Sequence, residues 1–156
     1  MNFSETHISE VGIPSVEERI ARAREMLETP FLHLGRDHNG IDCVGLLTYA
    51  MGYPEALVPV YPRDPFRGAL EYQLDAIFGP PCCTAGRAGV APGTVVAGDV
   101  VAMAYSLRIR HVAIIAQHPT YPEHLSVIHT DSTVGKVTEH ILDDNWLRLI
   151  KRVYRI

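Results

Sequence analysis

Gly40-Ile41-Asp42-Cys43-Val44-Gly45-Leu46-Leu47 is the stretch whose reading decides the fold. Aspartate is a preferred residue at a helix start, where its side chain accepts from amides that have no partner inside the helix. With Asp42 as the cap, Cys43 falls in the first turn and Leu46, Leu47 and Ala50 form an apolar face behind it. A helix N-terminus carries about half a positive charge and lowers the pKa of a thiol placed there. The segment therefore predicts a helix whose first turn presents a nucleophilic cysteine. The competing reading of Cys43 is a small buried apolar group.

Upstream, Ser15-Val16-Glu17-Glu18 has the form of a capping box, and Val16, Ile20, Ala23 and Leu27 recur at helical spacing, so an amphipathic helix is expected over 15–29. Pro30 prevents its clean continuation. Residues 1–13 read as an extended arm or edge strand, and Gly35 to Gly40 as a polar turn. Downstream, Gly52-Tyr53-Pro54 closes the cysteine helix, and the proline-rich segment 53–67 is irregular. A short helix is expected near Ala69–Phe78, then a glycine- and proline-rich loop over 79–98. From Asp99 the pattern changes to strands: Asp99–Ala104, His111–Gln117, Leu125–Thr130, Lys136–His140 and Leu149–Ile156, with Trp146 in a short helix. Helices followed by a meander of about five strands predict an α+β fold, with helices packed on a central antiparallel sheet.

A cysteine nucleophile needs an imidazole and a group that orients it. His111 opens one strand and His129 lies near the end of the next. A hairpin that places them opposite one another turns about Thr120, within His118-Pro119-Thr120-Tyr121-Pro122-Glu123, and opposed Cβ atoms lie about 5 Å apart on one face. His111 and His129 are thus expected to share a proton. The alternative for His111 is a core or edge histidine. No CxxC or HxxxH spacing marks a zinc site, and GxSxG and phosphate-binding glycine loops are absent. No metal and no cofactor are expected.

The 156 residues carry a formal net charge of -4, which offers no basic field for nucleic acid. The length suits a single domain over 1–156, and no apolar run is long enough to insert in a membrane. Met1-Asn2-Phe3-Ser4-Glu5-Thr6 lacks the form of a secretory signal, so synthesis and residence in the bacterial cytoplasm are expected before any release. Cys43, Cys82 and Cys83 are too few for a disulfide framework and read as thiols.

In order along the chain stand Thr29-Pro30-Phe31, Asp42-Cys43-Val44-Gly45-Leu46, Gly98-Asp99-Val100-Val101, His111-Val112-Ala113-Ile114-Ile115, Val127-Ile128-His129, Trp146 and the basic strand Lys151-Arg152-Val153-Tyr154-Arg155. This ordered set, colinear from about Val16 to the C-terminus, resembles the NlpC/p60 group of papain-like cysteine peptidases. The resemblance implies Cys43 as nucleophile, His111 as general base and His129 as the residue that orients the imidazole, with the Cys43 amide as an oxyanion donor. It implies cleavage of the γ-D-glutamyl to diamino-acid bond in peptidoglycan stem peptides. Phe31 and Asp42 are implied neighbours of the oxyanion and substrate site, although Asp42, like Asp99, also suits a cap or turn. Two positions depart from the family pattern. Val44 replaces a serine, and Phe31 replaces a tyrosine whose hydroxyl lies near the reacting centre, a loss of about 2–4 kcal/mol if it is a full oxyanion donor.

The Leu-His after Phe31 and the Asp-Cys-Val-Gly-Leu form resemble the phage-encoded branch of the group. That implies a virion-borne tail-tip or baseplate enzyme that acts in the periplasm or cell wall, with tail-tip or hub proteins as partners. Two other readings remain: a structural tail protein with a weakened peptidase fold, and a cytosolic amidase or thioesterase. Arg63, Asp64, Arg108 and Arg110 are candidate contacts for a charged stem peptide, and 53–67 and 79–98 candidate cleft borders.

Overall fold

The computed structural model describes residues 12–52 and 68–156. The arm up to residue 11 and the segment 53–67, with Arg63 and Asp64, lie outside the described residues.

Helix α1 spans Val16–Glu25, and its Ser15 and Glu18 form the expected reciprocal capping box. It ends short of the predicted residue 29: Met26 caps it, and Glu28 then adopts a positive φ of 73° and donates to Val137 O. The chain next forms a two-strand turn, β1 (Arg36–Asp37) and β2 (Gly40–Ile41), and enters α2 (Cys43–Ala50). Helix α3 covers Ala69–Phe78, as its periodicity predicts.

Six strands follow: β3 (Cys83–Thr84), β4 (Val100–Met103), β5 (His111–Gln117), β6 (Leu125–His129), β7 (Thr138–Ile141) and β8 (Ile150–Tyr154), with the short α4 (Asp144–Leu147) before the last. They form one sheet in the order β3-β8-β4-β5-β6-β7, with antiparallel neighbours throughout. The architecture is the expected α+β, with six strands rather than about five. The additional one, β3, lies inside the segment read as loop and pairs Cys83 with Val153. Two residues are too short to carry a periodic signal.

Both faces of this sheet are buried. Val100, Ala102, Val112, Ile114 and Ile128 point toward the helices, where Ala23, Met26, Leu46 and Ala50 pack. Val101, Met103, Ala113, Ile115, Val127 and Val153 point to the other face, under Val90, Val95 and Leu147. The glycine-rich loop thus covers the second face. This two-sided cover explains why β4 and β5 read as continuous apolar runs rather than alternating ones.

The β5–β6 register differs from expectation. Ile114 pairs with Ile128 and Gln117 with Leu125, so the hairpin turns about Tyr121 rather than Thr120, and His111 is not directly opposite His129. The partner of His111 moves by two residues, which preserves its face; a shift of one would have turned His129 away.

Candidate active site

Cys43 opens α2, as its sequence predicts. Asp42 is only 3% exposed, and both its oxygens hold the local structure. Oδ1 accepts from the Gly45 amide at 2.8 Å and from Arg36 Nη1 at 2.8 Å, while Oδ2 accepts from the Leu34 amide at 2.8 Å. The aspartate therefore ties the β1–β2 turn to the first turn of α2. Gly45 allows the close approach: a Cβ there would lie 2.4 Å from Gly35 O and 2.9 Å from Arg36 Nη1.

Helix α2 sets its N-terminus against the start of β5. The backbone amides of Val112 and Val44 favour a thiolate at Cys43. Burial and the Asp42 carboxylate oppose them and push the thiol up to about 12. The lowered pKa expected from the helix start is thus outweighed, because desolvation penalises the charged form. By surface exposure the Cys43 residue is half-buried.

His111 is 2% exposed and His129 fully buried. Their rings cross at 80°, with Nε2 of His111 2.9 Å from Nδ1 of His129. Burial, with His129 as neighbour, lowers His111 to about 3, and burial, with His140 as neighbour, lowers His129 to about 4. Both imidazoles are therefore neutral at rest.

Four further residues complete the cluster. Nε2 of His129 lies 2.8 Å from Nε2 of His140, and Nδ1 of His140 lies 3.1 Å from Ile141 O. Trp146 packs against both rings, at centroid distances of 4.9 Å from His129 and 4.5 Å from His140. Tyr105 stacks on His111 at 5.4 Å, and its hydroxyl donates to Asp131 Oδ2 at 2.6 Å. Partial burial pushes Asp131 up, but the bonds from Tyr105 and the Val134 amide, with the two histidines, hold it below the usual carboxylate range. Asp131 in turn favours the charged forms of His111 and His129.

Sequence reading placed Trp146 in its helix but passed over His140, Asp131 and Tyr105 as site residues. His140 carried a readable signal. It pairs with Val127, two positions from His129, and so falls on the same face of the sheet. Tyr105 and Asp131 sit in irregular segments whose positions no periodicity fixes.

Ligand atoms of His111, His129 and Asp131 lie within 4.8 Å of one another, a spacing compatible with a metal ion that a search for local motifs does not see. Within the set, Nε2 of His111 and Nδ1 of His129 bond to each other, and the carboxylate accepts from Tyr105 and Val134. Phe31 is half-buried and bridges Ile41, one residue before the cap, which brings it beside the site without a hydroxyl.

The fold has counterparts among solved structures. An NlpC/p60 family protein from Bacillus cereus ATCC 10987 superposes with a TM-score of 0.56 at 18% identity, over 93% of this chain and 41% of that one. The NlpC/p60 domain of the peptidoglycan hydrolase SagA gives 0.53 at 17% identity, over 92% and 100%. This is the NlpC/p60 fold. An N-acetylmuramoyl-L-alanine amidase from Bacteroides uniformis ATCC 8492 shares it, with a TM-score of 0.55 at 14% identity, over 90% and 97%. The chain spans less than half the length of the Bacillus cereus protein. No protein-family model matches the sequence, and no curated protein matches it. Within the NlpC/p60 fold, Cys43 stands at the start of a helix packed on the sheet, and the His111–His129 pair lies on adjacent strands of that sheet. No helix among the described residues is long and apolar enough to cross a membrane.

Proposed function

We propose that this chain is a cysteine peptidase that cuts peptide bonds in bacterial peptidoglycan, with Cys43 as nucleophile, His111 as general base and His129 as the residue that holds the base. What supports the reading is a helix-start cysteine whose sulfur meets the amide of Val112, next in sequence to His111 of the buried histidine pair, on an NlpC/p60 fold. Nε2 of His111 is committed to His129, which leaves Nδ1 as the nitrogen to take the thiol proton. As that proton moves to His111, sulfur attacks the carbonyl carbon, and the Cys43 amide supports the developing oxyanion. The tetrahedral intermediate collapses, the leaving amine takes the proton from His111, and a thioester remains. Water then gives a proton to His111 and attacks the thioester, and the thiolate leaves with that proton returned. The Asp131 carboxylate supports the transient imidazolium.

A groove of about 850 Å³ runs past Tyr105 and carries Arg87, Arg108, Arg148 and Arg152 on its walls. Its cationic lining suits the carboxylates of a stem peptide, and the bond proposed is that between γ-D-glutamate and the diamino acid. The setting proposed is a phage tail tip or baseplate; it rests on the resemblance of Leu32-His33 and the Asp42–Leu46 segment to that branch.

Digestion of purified sacculi, read by mass spectrometry with Cys43→Ala as control, tests this. The expected products are truncated muropeptides that end at glutamate, absent from the Cys43→Ala digest. Equal release by both proteins would remove Cys43 from the mechanism. Release of intact stem peptides would instead place the cut at the amide named by the Bacteroides uniformis neighbour.

A further inference from the structure

The cluster contains a third histidine, and its surroundings impose a direction on all three rings. Nδ1 of His140 meets the Ile141 carbonyl at 3.1 Å. A carbonyl only accepts, so this nitrogen carries the proton. In the neutral ring Nε2 of His140 is then an acceptor, and the 2.8 Å contact requires Nε2 of His129 to donate. Nδ1 of His129 is left with a lone pair, so across 2.9 Å it accepts from Nε2 of His111. The last ring in the series keeps its lone pair on Nδ1, the nitrogen that a thiol proton must reach.

We propose that His140 is a positioning residue that, through the Ile141 carbonyl, directs a one-way hydrogen-bond chain and fixes the tautomer of His111. The groups around the chain agree with this role. Asp131 bonds to neither ring: its oxygens take the Tyr105 hydroxyl and the Val134 amide, so it adds charge but no direction. Trp146 packs against His129 and His140 and holds their planes near perpendicular, at 87°. Without the Ile141 bond the chain could run either way, and half of its arrangements would place a proton on Nδ1 of His111. A base already protonated there cannot accept from sulfur.

The value of this device rests on His111 being the general base, but the device itself is measured without substrate. Two-bond ¹⁵N–¹H spectra of histidine-labelled protein, recorded above the range in which imidazole titrates, report the proton position on each ring. The expected pattern is Nε2–H on His111, Nε2–H on His129 and Nδ1–H on His140. Any one of the three on its other nitrogen overturns the proposal, even if the sacculus digest succeeds, and a failed digest leaves the pattern unaffected. His140→Gln keeps an oxygen that accepts from His129 and should preserve the His111 tautomer. His140→Leu should turn that single tautomer into a mixture, with a fall in kcat that glutamine restores. An unchanged His111 spectrum in His140→Leu would show that the direction comes from elsewhere. Loss of stability without tautomer change would likewise reduce His140 to a packing residue.

Discussion

Burial disfavours the charged form of both Cys43 and His111, so the proposed nucleophile and base rest as neutral groups. Burial lifts the thiol to about 12 and lowers the imidazole to about 3. A resting thiolate–imidazolium pair would need both shifts reversed. Proton transfer therefore belongs with the attack itself, and the site should look unreactive until a substrate arrives. Alkylation of Cys43 by iodoacetamide is expected to rise about tenfold per pH unit from neutral into the alkaline range, with no inflection in the acid limb. An acid inflection would reveal a standing ion pair. In the proposed mechanism Asp131 supplies charge that supports the transient imidazolium. Asp131→Asn is expected to lower kcat about tenfold, about 1.4 kcal/mol of lost imidazolium support, and to raise the Cys43 alkylation rate slightly, because the carboxylate also disfavours the thiolate. An unchanged kcat would remove the carboxylate from the mechanism. Phe31 cannot supply a hydroxyl, whereas Tyr105, stacked on His111, brings a phenolic group to the histidines.

The β1–β2 turn and α2 act as one unit at the scale of elements, and Gly45 is their contact. A methyl group there would meet the Gly35 carbonyl and the Arg36 guanidinium while Arg36 holds Asp42. Gly45→Ala is expected to cost about 1–3 kcal/mol in urea unfolding and to change Cys43 reactivity, because the turn must shift and carry the cap with it. A variant of native stability would show that the turn yields without resistance. Elements of this kind were the legible ones. The capping box, the Asp42 cap, helix Ala69–Phe78 and strand His111–Gln117 follow from local chemistry and periodicity, and the structure reproduces them. What depended on distant partners was not legible. The two residues of β3 become a strand because β8 lies beside them. The hairpin register turns on one residue of a loop that tolerates either length. The thiol pKa depends on how deeply the first turn of α2 is covered, and the reach of the histidine chain to His140 depends on β7 pairing with β6.

For the whole molecule, a sheet covered on both faces makes its polar residues costly, and the site concentrates that cost in two rings. His111 and His129 lie in the sheet with folded pKa values near 3 and near 4, below the ordinary 6.5. The unfolded chain binds protons at these positions first as pH falls. Stability is therefore full above about pH 6.5 and is lost as pH drops toward the folded values. Two such groups remove about 2–4 kcal/mol between about pH 7 and about pH 5, a large share of the ~5–15 kcal/mol typical of a domain. Urea midpoints should thus fall steeply over that interval in the native chain. They should fall much less in His111→Gln/His129→Gln, where no buried imidazole waits to be charged. Equal slopes in the two proteins would place the acid sensitivity outside the site. The expected difference would mean that the pair proposed to move a thiol proton is also what makes the fold acid-sensitive.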